Sequence, residues 1–123
     1  MKLKTTESQE QIAVIDYCDF KHIPIFHIPN GGSRNKIEAA HLKRQGVRAG
    51  VPDLMLPVAK HGYNGLFIEM KVGYNKPTEN QEKWIELLSK NGYLVKTCWG
   101  AKEAINLITN YIYLEEIKEN PLF

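Results

Sequence analysis

Two strand-like runs joined by a short loop limit this chain more than anything else in it. In Leu66-Phe-Ile-Glu-Met-Lys-Val72 the residues Leu66, Ile68, Met70 and Val72 share one wholly apolar face, because successive side chains of an extended chain point to opposite sides. In Asp53 to Val58 the matching apolar face is Leu54, Leu56 and Val58. The connecting stretch, Ala59 to Gly65, contains Gly62 and Asn64-Gly65, which suit a hairpin loop, so the runs are expected to pair antiparallel. The second face of that hairpin is polar. It carries Glu69 and Lys71 from one strand and Asp53 from the other, and so brings two acids and a lysine together. By itself a Glu-x-Lys pair on a strand is commonly a solvated ion pair.

The rest of the chain builds around this hairpin. Thr6-Glu-Ser-Gln9 has capping-box spacing and opens a helix whose apolar positions Ile12, Val14, Ile15 and Cys18 carry it to about Phe20. Ile25-Phe-His-Ile28 lies between Pro24 and Pro29 and reads as a short strand near a sheet edge. After a turn at Asn30-Gly31-Gly32-Ser33, a basic helix is expected from Arg34 to Gln45, stopped by Gly46. Thr78-Glu-Asn-Gln81 is a second capping box, and its helix runs through Trp84, Ile85, Leu87 and Leu88 to Asn91-Gly92. Tyr93 to Trp99 gives a last strand, and Gly100 opens a final helix to about Lys118. With no repeat or linker, this order predicts one α/β domain over residues 1–123, a small mixed β-sheet flanked by helices.

A chain of 123 residues can bury a core without staples, and Cys18 and Cys98 form no motif, so they are expected to be reduced, buried thiols. No apolar stretch approaches membrane-spanning length, and Met1 to Gln11 lacks the apolar segment of a signal peptide. A cytoplasmic location, in a bacterial cell or a phage-infected host, is expected. The net charge of +2 is small but unevenly spread. Arg34, Lys36, Lys43, Arg44 and Arg48 face only Glu38 in their segment, whereas Ala101 to Phe123 holds four Glu against two Lys. The basic segment is therefore either a solvated helix face or a surface for phosphate.

Two polar residues stand where a buried face is expected. Glu10 lies amid Ala13, Val14 and Tyr17, and Gln81 lies on the Trp84, Ile85, Leu88 face of its helix, where it also serves the capping box. Glu10, Asp53 and Glu69 gathered at one point would repel one another unless a divalent cation neutralised them, and hard oxygen donors favour Mg²⁺ or Mn²⁺. Such a cation beside a lysine suits phosphodiester hydrolysis. The residues thus predict a nuclease site.

Pro52-Asp53 followed by Glu69-Met70-Lys71 resembles the PD-(D/E)xK nuclease superfamily. Within it, Ile28-Pro-Asn-Gly-Gly-Ser-Arg34, Glu38-Ala-Ala, Leu42-Lys43, Gly46-Val47 and Gly50-Val-Pro-Asp-Leu54 resemble the VRR-NUC family, the virus-type replication-repair nucleases. Glu10-Gln11, Gln81 and Gly92-Tyr93 extend the likeness from Glu7 to about Tyr113. The resemblance implies a restriction-endonuclease-like core and a Mg²⁺- or Mn²⁺-dependent endonuclease acting on branched DNA such as four-way (Holliday) junctions. It implies metal ligation by Glu10, Asp53, Glu69 and the Met70 carbonyl, with Lys71 catalytic and Gln81 a further site residue. Glu7, one turn before Glu10, is the alternative ligand from the first helix. Arg34, Lys36, Lys43, Arg44 and Arg48 are expected to meet the DNA backbone.

A homodimer is expected, because Tyr113 and Ile117 fall opposite the apolar arc of the last helix and because symmetric junction cutting needs two sites. The competing readings are a non-catalytic nucleic-acid-binding module of the same fold and a subunit active only within a larger complex. Cys18, His22, His27 and His41 match no zinc-ligand spacing.

Overall fold

Side-chain caps decide where the helices begin. In the computed structural model, which describes residues 4–30 and 35–115, helix α1 spans Glu7–Lys21. Thr6 accepts from the Gln9 N–H, and the Gln9 side chain accepts in return from the Thr6 N–H at 2.9 Å. Strand β1 is Phe26–His27, and α2 is Lys36–Arg44, capped by the Asn35 side chain at the Glu38 N–H. The cap at Asn35 shortens α2 relative to the expected Arg34 to Gln45, and Arg34 itself lies outside the described residues. Strands β2 (Leu54–Leu56) and β3 (Leu66–Lys71) follow, then α3 (Glu79–Lys90), β4 (Leu94–Trp99) and α4 (Ala101–Tyr113). The last helix ends earlier than the expected Lys118, with Leu114 already extended.

The four strands form one mixed sheet in the order β1-β2-β3-β4. β1 and β2 pair antiparallel, as do β2 and β3, with Leu54 opposite Ile68 and Leu56 opposite Leu66. β3 and β4 are parallel, joined through α3, and Lys71 aligns with Trp99. β2 is shorter than the expected Asp53 to Val58, since Pro57 has no N–H to donate and the Val58 N–H turns back to Leu56. The hairpin tip also differs from expectation. Reciprocal bonds between Lys60 and Tyr63 close a turn at His61-Gly62, and Asn64 instead donates its backbone N–H to Gly92.

One face of the sheet carries the main core. Leu54, Leu56, Leu66, Ile68 and Met70 pack with Val14 and Cys18 of α1 and with Ala104, Leu107, Ile108 and Tyr111 of α4. A bond of 3.0 Å between the Tyr17 and Thr109 hydroxyls ties α1 to α4, and the Tyr111 hydroxyl donates to the Val58 carbonyl at 2.6 Å. Ile12, expected on the buried face, is 56% exposed, because α1 buries only the narrow stripe of Val14 and Cys18. β3 is buried on both sides. On its second face Phe67 packs edge-to-face with Tyr93, and Gln81 at the start of α3 reaches Glu69. On this face both Glu69 and Lys71 are buried.

Candidate active site

The polar face of the hairpin is a buried site. Continuing the β2–β3 register by one pair sets Asp53 opposite Glu69, and the Asp53 Oδ2 accepts the Met70 N–H at 2.7 Å. Three bonds hold Asp53 in place, since its carbonyl also accepts the Ile28 N–H at 2.7 Å and His27 Nδ1 at 2.8 Å. A residue of an extended strand directs its N–H and C=O to the same neighbour, so the Met70 carbonyl faces the Asp53 side of β3. Behind Asp53, Gly50 has φ +91°, and a Cβ there would come within 2.6 Å of the Asn80 carbonyl carbon. The loop before Asp53 therefore lies directly on the first turn of α3.

Glu69 is 2% exposed and Lys71 7% exposed. The Glu69 Oε1 accepts from Gln81 Nε2 at 2.9 Å and stands 3.9 Å from the Lys71 ammonium, whereas its Oε2 is buried without a protein partner. Burial pushes the Glu69 carboxyl up to about 8, and the charges of Asp53 and Glu7 add to the rise while Lys71 opposes it. Gln81 makes two contacts at once. Its Oε1 accepts the Thr78 N–H at 2.8 Å to cap α3, and its Nε2 holds Glu69.

The acids of α1 depart from the implied ligand set. Glu10 is turned to α4, where its Oε1 accepts the Ala101 N–H at 3.0 Å. It thereby supplies the cap that Gly100, which has no side chain, cannot supply. A Cβ on Gly100 would approach that same oxygen at 3.0 Å, so the glycine admits the carboxylate. Glu7 is the α1 acid whose charge acts on Glu69, and its Oε2 accepts from Asn75 Nδ2 at 3.4 Å. Among the described residues no three His, Cys, Asp or Glu side chains stand together as a ready metal cage. The expected convergence of Glu10 with Asp53 and Glu69 is thus replaced by an Asp53–Glu69 pair, because the α4 N-terminus claims Glu10.

The basic segment lies apart from the core. α2 buries none of its residues, and Lys36, Lys43 and Arg44 are exposed. Arg48 is also exposed, but its guanidinium donates to the Lys43 carbonyl at 2.8 Å and so closes the end of α2. Cys18 and Cys98 are free and buried, with burial raising their thiols to about 11 and about 12. In the sequence His27 is weighed only as a zinc ligand, and Asn75 and Trp99 do not stand out as neighbours of the site. Their contacts run through backbone carbonyls or a loop amide, which leave no periodic signal.

A mixed sheet with Asp53 at the end of one strand and Glu69-x-Lys71 on its antiparallel neighbour defines a PD-(D/E)xK nuclease core. Residues 5–102 match the model of the VRR-NUC domain, and the chain belongs to that nuclease family. A solved structure described as a VRR_NUC domain protein is similar at a TM-score of 0.78 and 34% identity, covering 94% of each chain. The threonine–tRNA ligase of Ehrlichia chaffeensis is 24% identical over 101 residues, which are 79% of this chain and 16% of that protein. The chain spans about a sixth of the length of that relative. Among the described residues no helix is long and apolar enough to cross a membrane.

Proposed function

We propose that this chain is a divalent-metal-dependent endodeoxyribonuclease that hydrolyses phosphodiester bonds in branched DNA, four-way junctions included. The observation that carries this reading is the buried Glu69 carboxyl, which lies against Asp53, stands 3.9 Å from the Lys71 ammonium through Oε1 and leaves Oε2 without a hydrogen bond. Such an atom costs the fold on the order of 1–3 kcal/mol unless a ligand completes it, which marks it for a binding role. The donors that meet here suit a hard cation: the carboxylates of Asp53 and Glu69 and the Met70 carbonyl, with Glu7 of α1 proposed to complete the set when the ion binds. Bound there, Mg²⁺ or Mn²⁺ would polarise a phosphate oxygen and lower the pKa of a coordinated water.

The chain's own residues do the rest. Gln81 pins Oε1 of Glu69, and the Met70 N–H pins Asp53, so both carboxylates are oriented in advance. Lys71 brings a buried positive charge that offsets negative charge developing on the phosphate and can orient the nucleophile. Arg34, Lys36, Lys43, Arg44 and Arg48 would hold the backbone without reading bases, which accords with cutting by DNA structure. One site cuts one strand, so the proposed working species on a junction is a homodimer.

The test is incubation of the purified protein with labelled linear, flapped and four-way DNA in Mg²⁺, Mn²⁺ or EDTA. Branched DNA is expected to be cut only with metal. Asp53→Ala and Glu69→Ala should abolish cutting while binding DNA at least as tightly, since each removes repulsion toward phosphate. Cutting that persists in EDTA would overturn the proposal, and binding without cleavage under every metal would favour the non-catalytic module.

A further inference from the structure

We infer that Tyr74 is a stacking platform for an unpaired DNA base next to the site, favouring DNA with unstacked nucleotides over continuous duplex. The inference rests on the nuclease reading above. Tyr74 is fully exposed, yet the turn that carries it is clamped. The Asn75 N–H closes the turn onto the Val72 carbonyl at 3.2 Å. Trp99, the register partner of Lys71 on β4, donates its Nε1–H to the Asn75 carbonyl at 2.7 Å. The Asn75 side chain in turn donates to Glu7. The turn's own hydrogen bond and the Trp99 bond thus hold the backbone beside a ring that touches water, and α1 holds the side chain of the next residue.

A ring on a clamped turn loses little further freedom when it binds, which separates it from a ring on an unanchored loop. The turn begins one residue after Lys71, and Tyr74 is three residues from that lysine. Three residues of extended chain span at most about 11 Å. Bases along one strand of duplex rise by about 3.4 Å each, so the α-carbon that carries the ring lies within roughly three nucleotide spacings of the α-carbon of Lys71. Inside a duplex every base face is covered by its neighbours, whereas a branch point or single-stranded arm leaves one open. Stacking on an aromatic ring tolerates any base, as structure-directed cutting requires. Lys76, exposed two residues further on, adds a charge for the adjacent backbone.

The test uses four-way junctions with 2-aminopurine placed one to four nucleotides from the branch, and linear duplex of equal length, all in EDTA so that nothing is cut. Wild type should quench the probe within three nucleotides of the branch. Tyr74→Ala should lose that quenching and lower the ratio of junction to duplex affinity by about fivefold or more, while Tyr74→Phe keeps both. Because the ring is fully exposed, the thermal midpoint of Tyr74→Ala should match wild type. An unchanged affinity ratio in Tyr74→Ala, with DNA still bound, would overturn the role of Tyr74 alone. Failure of wild type to bind any of these DNAs in EDTA would overturn this inference, and the nuclease reading falls only if cutting is also absent with Mg²⁺ and Mn²⁺.

Discussion

Glu7 and Glu10 stand about 4.5 Å apart along the axis of α1 and about 60° apart around it, yet they do different work. Glu10 caps α4 and Glu7 bears on Glu69. Glu7→Gln keeps an acceptor for Asn75 but removes the charge, so it should weaken Mn²⁺ binding at least several-fold with an unchanged melting midpoint. Glu10→Ala removes the partner of the Ala101 N–H. Loss of a cap costs ~1 kcal/mol, a fall of about 3–5 °C in the midpoint for a chain of this size, with Mn²⁺ affinity retained. Titration calorimetry and thermal melts of the two variants separate the roles, and the reverse pattern would return Glu10 to the site.

Among the elements, the Gly50 loop and α2 differ most in how they are held. Gly50 combines positive φ with backbone contact to Asn80, so Gly50→Ala must both strain the loop and push it off α3. A loss of about 2–3 kcal/mol is expected in urea unfolding, with weaker Mn²⁺ binding because Asp53 moves with the loop. The basic helix is the opposite case, since none of its residues is buried. Lys43→Gln with Arg44→Gln should leave the unfolding midpoint nearly unchanged while weakening binding to all DNA sequences alike. The slope of log affinity against log salt should flatten by about 2, near 0.9 for each phosphate that is no longer neutralised. A changed sequence preference at constant affinity would contradict a backbone role.

For the molecule as a whole, the proposed homodimer has a direct measurement. Tyr113 on α4 is 56% exposed, and Ile117, expected beside it, lies outside the described residues. If two copies work on a junction, light scattering at micromolar concentration should give a mass near twice 14.1 kDa. Tyr113→Glu should shift that mass toward one chain if the exposed ring lies in the shared surface. A single-chain mass with and without junction DNA would leave nicking of one strand as the activity.

Local chemistry made much of this protein readable before its structure. Thr6 with Gln9 and Thr78 with Gln81 start their helices through bonds that span three residues, and such bonds depend on nothing distant. The alternation in Leu66–Lys71 placed Glu69 and Lys71 on one side of the sheet, and the short connection to β2 brought Asp53 to the same side. What periodicity could not supply was the cover. Whether Glu69 meets water depends on Gln81 of α3 reaching over that face, and which acid of α1 is taken up as a cap depends on where α4 begins. Both answers come from contacts between segments far apart in the chain, where the need of a buried carboxylate or a bare helix end for a partner selects among residues that look alike in sequence.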